Sequence, residues 1–425
     1  MGKYFNFNKY TMDNGLNVAY RKTDSNITLI DLNIGSGSLT ENNNEKGLCH
    51  LLEHCIYNGA TAKYTPKQLD DIKSNFGYSN ASTSIIPIYF RSDLLKEDVE
   101  SCLDFLSQIA LNSKFDETTL DQEKQRVLRE ICDHKTNKSI YGESFNDAFF
   151  GNSRVIYDVL GDAEIIKKAS VNDLMNIYKR NFNINNMGLF LYGGLPDNID
   201  SLISNYFGNY SKGKKLEFNV KKLKPQIKSS FLYFKDIFLL NENNPDLSSA
   251  QFSMRLNAPN FNEKYYYEMQ ILNDFLGNSY NSRLHSEISA KKGLAYNIDS
   301  KFIIEPSCNY LSIAGMIQAQ KYKKVINSVF DIFSDLRNKL IPEDFLIKNI
   351  KKTNYDILKN YESPIGNIDI MKSNIYDDFD IVDVIDIIKN INQESIREAA
   401  RLYLPENTDD KKYSMMVISP FDEEK

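Results

Sequence analysis

The order of apolar and polar positions divides the chain into two similar halves. In the first, Leu16–Arg21 and Ile27–Ile34 read as strands, the former entered through the turn signal Asp13-Asn14-Gly15. Glu45–Tyr57 reads as a helix. A second helix starts after Thr65-Pro66, with Thr as N-cap and Pro in the first turn, and stops before Gly77. Strand-like runs Tyr78–Ser84 and Ile86–Arg91 come next, then helical runs Lys96–Leu111 and Asp116–Cys132. A helix near Ser170–Arg180 and a strand Met187–Tyr192 close the half. The second half repeats this order. Ser253–Leu256 is strand-like, Glu263–Leu276 helical, and Ala295–Ile304 and Tyr310–Met316 strand-like. Lys321–Leu336, Pro342–Tyr361 and Gln393–Tyr403 read as helices, and Tyr413–Ile418 as a strand.

The segment SKFDETTLDQEKQRVLREI stands beside KLIPEDFLIKNIKKTNYDI at an offset of 226. That period is too long for a solenoid. It predicts a duplicated α+β domain, each copy a largely antiparallel sheet with helices packed on one face. The expected domains are residues 1–215 and 216–425. The basic stretch Ser211–Ser230 joins them and reads as a solvated linker.

Composition narrows the function. The 425 residues are 42% apolar and 25% charged, a globular balance. Lys and Arg number 51 against 57 Asp and Glu, a net charge of −6, which excludes a polyanion-coating protein and gives no sign of a nucleic-acid partner. No apolar run reaches the length of a membrane span, and no secretory signal is visible at the start. Cys49, Cys55, Cys102, Cys132 and Cys308 are scattered, as expected for free thiols in a reducing compartment, the cytoplasm.

Histidine is rare, with four in the chain, yet residues 50–54 read His-Leu-Leu-Glu-His. A chance match is expected in about 0.002 such chains. At i and i+4 on a helix, His50 and His54 share a face and can chelate one Zn²⁺. Glu53 can then take a proton from a water that the metal polarises. This is the inverted form of the His-Glu-x-x-His motif. The competing reading is a helix whose histidines face solvent. Flanking Leu48, Leu51, Leu52 and Ile56 favour a core helix, in which imidazoles need partners.

A catalytic zinc takes three protein ligands and keeps one position open. Glu123 and Glu130 lie two turns apart on the helix Asp116–Cys132, so one can bind metal while the other hydrogen-bonds a ligating His. Spacing alone favours two solvent carboxylates, because DQEKQRVLRE is charged almost throughout. A mixed Cys/His site with Cys49 or Cys55 is the alternative ligand set. Each cysteine lies about 100° round the helix from its neighbouring His, which favours small core residues. His134 and His285 read as surface or loop histidines.

The segments GSGSLTENNNEKGLCHLLEHCIYNGATAKYT, NASTSIIPIY, EKQRVLRE and NSRLHSEISAKKGLAY, in this order, resemble the pitrilysin/insulinase family of zinc peptidases. The likeness is greatest to its short-chain branch, which includes the mitochondrial processing peptidase and bacterial relatives. The resemblance implies half of a clamshell, and zinc-dependent cleavage of processing, leader or other small peptides inside a two-half chamber. It implies one Zn²⁺ bound by His50, His54 and Glu130, with Glu53 as base and Glu123 behind a ligand. Asn80, Ala81 and Ser82 would pair with the substrate backbone. Pro87 cannot donate to a ladder and is expected at an edge or bulge.

At the 226 offset Glu123 and Glu130 become Asn349 and Asp356, so the second half is expected to be chamber wall. The family places an Arg seven residues before the Tyr of GLAY, and the pair steadies the substrate oxyanion. Tyr296 is present, but the Arg position is Ser289. Lys291 and Lys292 are out of register, and Lys is no equivalent fork. The expected assembly is a heterodimer in which a sibling subunit supplies Arg and Tyr, with a homodimer as second choice. The alternative function is a non-catalytic peptide-binding or assembly subunit.

Overall fold

The computed structural model describes residues 6–134, 137–151, 159–216, 224–261, 263–279, 281–304, 308–376 and 381–423. Part of the basic join between the halves, residues 217–223, lies outside them. The chain forms two compact units. The first takes in residues 1–135, 157–218 and 356–384, and the second 136–156, 219–355 and 385–425. Neither unit is one run of chain, because each half of the sequence contributes a segment to the other unit.

In the first unit the strands lie in the order Asn8–Thr11, Asn17–Lys22, Met187–Gly193, Ile27–Ile34, Ile88–Leu95, Tyr78–Thr83. One pair, Asn17–Lys22 with Met187–Gly193, is parallel and the rest are antiparallel. Leu48–Asn58, Val99–Leu111, Glu117–His134 and Val171–Asn181 bury their apolar sides against one face. The other face carries the helix Pro364–Tyr376, whose Ile368 and Met371 pack on Ala19, Leu29 and Phe190. Burial on both faces explains the near-continuous apolar runs of the central strands. The buried Asp31 on that second face is paired with Arg91 at 2.6 Å and Lys372 at 3.2 Å.

The second unit repeats the plan, in the order Ala295–Ile303, Tyr310–Gln318, Ser249–Asn257, Tyr413–Ser419, Phe231–Lys235, again with one parallel pair. The helix Asn137–Phe150 belongs here, with Phe145 against Met416 and Ile418 and Phe149 against Cys308. No helix among the described residues is long and apolar enough to cross a membrane.

Two local features position the site. The strand expected from Ile86 begins at Ile88, and Pro87 lies in the turn before it. Ser84 N–H donates to the Pro87 carbonyl at 3.0 Å. Pro87 has no N–H to return, and the Ser84 carbonyl instead accepts from Ser38 N–H at 3.3 Å, with Ile85 accepting from Leu39 N–H at 3.2 Å. Gly37 permits this approach, since a Cβ there would lie 2.4 Å from the Ser84 and Ile85 carbonyl oxygens. The second feature starts the helix Leu48–Asn58. Gly47 enters it at a φ of 89°. The buried Glu41 carboxylate accepts Gly47 N–H at 3.0 Å and Cys49 N–H at 2.7 Å. These are helix N-terminal donors, where a carboxylate is favoured. Glu41→Ala strands both donors and is expected to cost about 2–4 kcal/mol, read as a lower urea midpoint at unchanged slope. A loss under about 0.5 kcal/mol would contradict this anchoring.

Candidate active site

Leu48, Leu51, Leu52, Cys55 and Ile56 bury one side of their helix in the first unit's core. The helical repeat then turns His50 and His54 together toward the helix Glu117–His134. That helix buries Leu120, Val127 and Ile131, which brings Glu123 and Glu130 round to the histidines. The two imidazole Nε2 atoms lie 3.2 Å apart, and the rings stand at 86° to each other. Glu130 carboxylate oxygens approach to 3.7 Å from His50 Nε2 and 3.8 Å from His54 Nε2. Among the described residues this is the group of three that could hold a metal ion. Behind it, Glu123 Oε2 lies 3.1 Å from His54 Nδ1, and its other oxygen accepts from Arg126 at 2.9 Å. Glu53, one residue before His54, accepts from the Thr83 hydroxyl at 3.2 Å. Glu123 is 2% exposed and Glu53 6%. Glu130 is 43% exposed at the side chain and opens into a cleft of about 340 Å³ shared with the strand Tyr78–Thr83.

These donors fit a tetrahedral divalent ion. Two nitrogens each about 2.0–2.1 Å from one zinc are about 3.3–3.4 Å apart at the tetrahedral angle. The separation here is 3.2 Å. Glu123 accepts at Nδ1, so His54 carries its proton there and turns its Nε2 lone pair to the shared point. His50 lacks such a support among the described residues, where its buried Nδ1 has no hydrogen-bond partner. Burial, with His54 beside it, pulls the His50 imidazole down to about 4. It is therefore a neutral donor at pH 7. Burial also acts to lower His54, but the Glu123 hydrogen bond and the charges of Glu53, Glu130 and Glu123 outweigh it and hold the ring above the usual range. Burial pushes the Glu53 carboxyl up to about 7, against the opposing pull of His54 and Thr83.

The cysteines take no part. Cys49 lies 3.6 Å from the Ser36 hydroxyl and 3.7 Å from that of Thr40, inside the core. Burial pushes the Cys49 and Cys55 thiols up, so both stay protonated at neutral pH.

The strand Tyr78–Thr83 ends its sheet, and among the described residues its outer edge is free of a paired strand. The Ser84–Pro87 bond sets the phase of its ladder. In that phase Asn80 and Ser82 exchange main-chain hydrogen bonds with Arg91 and Tyr89. Ser79, Ala81 and Thr83 turn their N–H and C=O groups to the free edge and their side chains toward the His50 helix. The ladder thus divides the three residues singled out from the sequence, and Ala81 is the one whose main chain faces outward. Thr83 was not singled out. Its signal is the even spacing from Ala81, which becomes readable only once the turn is placed.

Tyr296 and Ser289 belong to the second unit. Tyr296 is 91% exposed. The Ser289 hydroxyl donates to the Ala295 carbonyl at 2.6 Å. Lys292 donates to the Ser328 hydroxyl at 2.9 Å, away from an arginine's place. Asn349, the counterpart of Glu123, donates to Asp274 at 3.2 Å.

Residues 17–162 match the family described as insulinase (peptidase family M16), and residues 168–352 match its companion described as the peptidase M16 inactive domain. The histidine–glutamate cluster falls in the first of these, and the inactive description falls on the half without it. The chain is 22% identical to the uncharacterized zinc protease YmxG of Bacillus subtilis, over 97% of this chain and 98% of that one. It is 24% identical to the mitochondrial-processing peptidase subunit beta of Dictyostelium discoideum, over 68% of this chain and 60% of that one. A protease from Helicobacter pylori shares the fold with a TM-score of 0.81 at 18% identity, covering 98% of this chain and 100% of that one. The first half of the periplasmic protease PqqL from Escherichia coli does so with a TM-score of 0.80 at 17% identity, covering 98% and 92%. With both halves of the chain matched in order, this protein belongs to the insulinase family of peptidases, in its processing-peptidase-like branch.

Proposed function

We propose that this chain is a zinc-dependent endopeptidase. His50, His54 and Glu130 hold the ion, Glu123 orients His54, and Glu53 is the general base. The observation that carries this reading is the convergence of two imidazole nitrogens 3.2 Å apart, a buried carboxylate beside them and a free sheet edge along the same cleft. Zinc in the name of the Bacillus relative supports the metal.

Bound zinc supplies a Lewis acid that polarises the scissile carbonyl and acidifies water. An extended peptide adds to the free edge through main-chain hydrogen bonds at Ala81 and its outward-facing neighbours, which favours unfolded chains over folded ones. Glu53 takes the proton of the attacking water and returns it to the departing amine. A carboxyl held beside the ligand His54 and opening on the same cleft is placed for both transfers. Processing peptides, leader peptides and other small peptides, enclosed in a chamber of two such halves, are the substrate class.

Tyr296 is this chain's candidate for steadying the oxyanion, but Ser289 offers no cation beside it. We infer that a sibling subunit supplies the arginine and its tyrosine. A relative named as a subunit of a processing peptidase supports that arrangement. The second reading, a non-catalytic peptide-binding subunit, is favoured by Ser289 alone.

The zinc-loaded chain, mixed with a sibling subunit that carries the arginine, is expected to cleave members of a quenched-fluorescent peptide library, and full activity of the chain alone would overturn the sibling inference. Glu53→Gln should lower the rate by about 10²–10⁴-fold while zinc stays bound, by metal analysis. Loss of zinc in that variant, or unchanged turnover, would contradict the base assignment. Glu123→Gln should weaken zinc affinity by about 10–100-fold, measured by competition with a chromogenic chelator. Acid should release the metal as well. With His54 held above the usual range, protons compete at that ring first, so zinc retention should fall as the pH drops from 8 to 5. Retention independent of pH would argue against histidine ligation.

A further inference from the structure

Thr83 faces two ways. Its main chain lies in the outward phase of the free-edge strand, and its hydroxyl donates to Glu53 Oε2 at 3.2 Å. We propose that Thr83 is a positioning residue that couples binding of an extended peptide at the sheet edge to alignment of the Glu53 carboxylate. The proposal rests on the peptidase reading above and deepens it.

The edge strand is tied to the helix Leu48–Asn58 at two points. The Tyr57 hydroxyl donates to the Ser79 hydroxyl at 3.0 Å, and Ser79 in turn lies 3.1 Å from the Ser92 hydroxyl. Tyr57 also stacks on Phe90 and carries the Lys73 ammonium over its ring, so this tie is part of the scaffold. The other tie is Thr83 to Glu53. Among the described residues Thr83 is the side chain that hydrogen-bonds the Glu53 carboxylate. One oxygen is thereby fixed, and Oε1 is left to receive a proton. The scaffold tie survives without the Thr83 hydroxyl, so removing that hydroxyl frees the carboxylate and leaves the strand in place.

The position of the hydroxyl is itself held from both sides. On the C-terminal side, Ser84 and Ile85 carbonyls are anchored by Ser38 and Leu39 N–H groups. On the free edge, Thr83 N–H and C=O are the groups a peptide would engage. Strand addition then restrains the residue that aims the base.

The test compares Thr83→Val, which keeps the shape and removes the hydroxyl, with Thr83→Ser, which keeps the hydroxyl. The readouts are kinetics on a quenched-fluorescent peptide cleaved by the wild type, zinc content, and crystal structures of the metal-free proteins. The expected result is a kcat about 10–100-fold lower in Thr83→Val, with KM within about threefold of wild type. Thr83→Ser should keep kcat within about threefold. Glu53 should be turned from its wild-type rotamer in the valine variant and unmoved in the serine variant. Normal kcat in Thr83→Val, equal losses in both variants, or an unmoved Glu53 in Thr83→Val would overturn the proposal. If the valine variant does not fold, Thr83→Ala takes its place with the same criteria. If the wild type cleaves nothing with any subunit, the peptidase reading has failed, and the crystal structures alone decide whether Thr83 sets Glu53.

Discussion

Two imidazole nitrogens 3.2 Å apart must share either a proton or a cation between them. That constraint organises the first unit. Glu123, buried and charge-paired with Arg126, draws the His54 proton to Nδ1 and leaves Nε2 as a donor. His50 is too desolvated to take a proton at neutral pH. A proton on His50 Nε2 can fill the gap in part, but it serves one ring nitrogen at a time. A divalent ion serves both, together with Glu130, and offsets the carboxylates gathered around them.

One short segment braces both sides of this site. Ser38 and Leu39 hold the turn that follows the edge strand, and Glu41, two residues on, holds the first turn of the His50 helix. Gly37 lets the backbone come close enough to do the first, and Gly47 supplies the left-handed residue needed for the second. The substrate edge and the metal helix are therefore referenced to the same few residues. The helix buries its apolar side in the core, and Ala81 of the edge strand packs against that same core.

The sequence was legible where chemistry depends on short spacing. His50, Glu53 and His54 lie within five residues of one helix, so their shared face followed from the helical repeat. The strand and helix order followed from apolar periodicity in both halves, and the duplication from their order. Glu123 and Glu130 were not separable from solvent carboxylates by spacing, because the residues between them are charged. What distinguishes them is the adjoining side of the helix, where Leu120, Val127 and Ile131 are buried together with Glu123. The strand expected from Ile86 starts two residues later, at Ile88, and the ladder phase that separates Ala81 and Thr83 from Asn80 and Ser82 is set by the turn between the two strands, which apolar periodicity does not place. The exchanged helices Asn137–Phe150 and Pro364–Tyr376 were not marked in the sequence at all. Their apolar residues lie all round the helix, and each packs on a sheet encoded by the other half of the chain.

The most direct test of the central claim is X-ray absorption at the zinc edge of the loaded protein. This account predicts two imidazole nitrogens and carboxylate or water oxygen at about 2.0–2.2 Å, with no sulfur. A sulfur shell near about 2.3 Å would put Cys49 or Cys55 at the metal and contradict it.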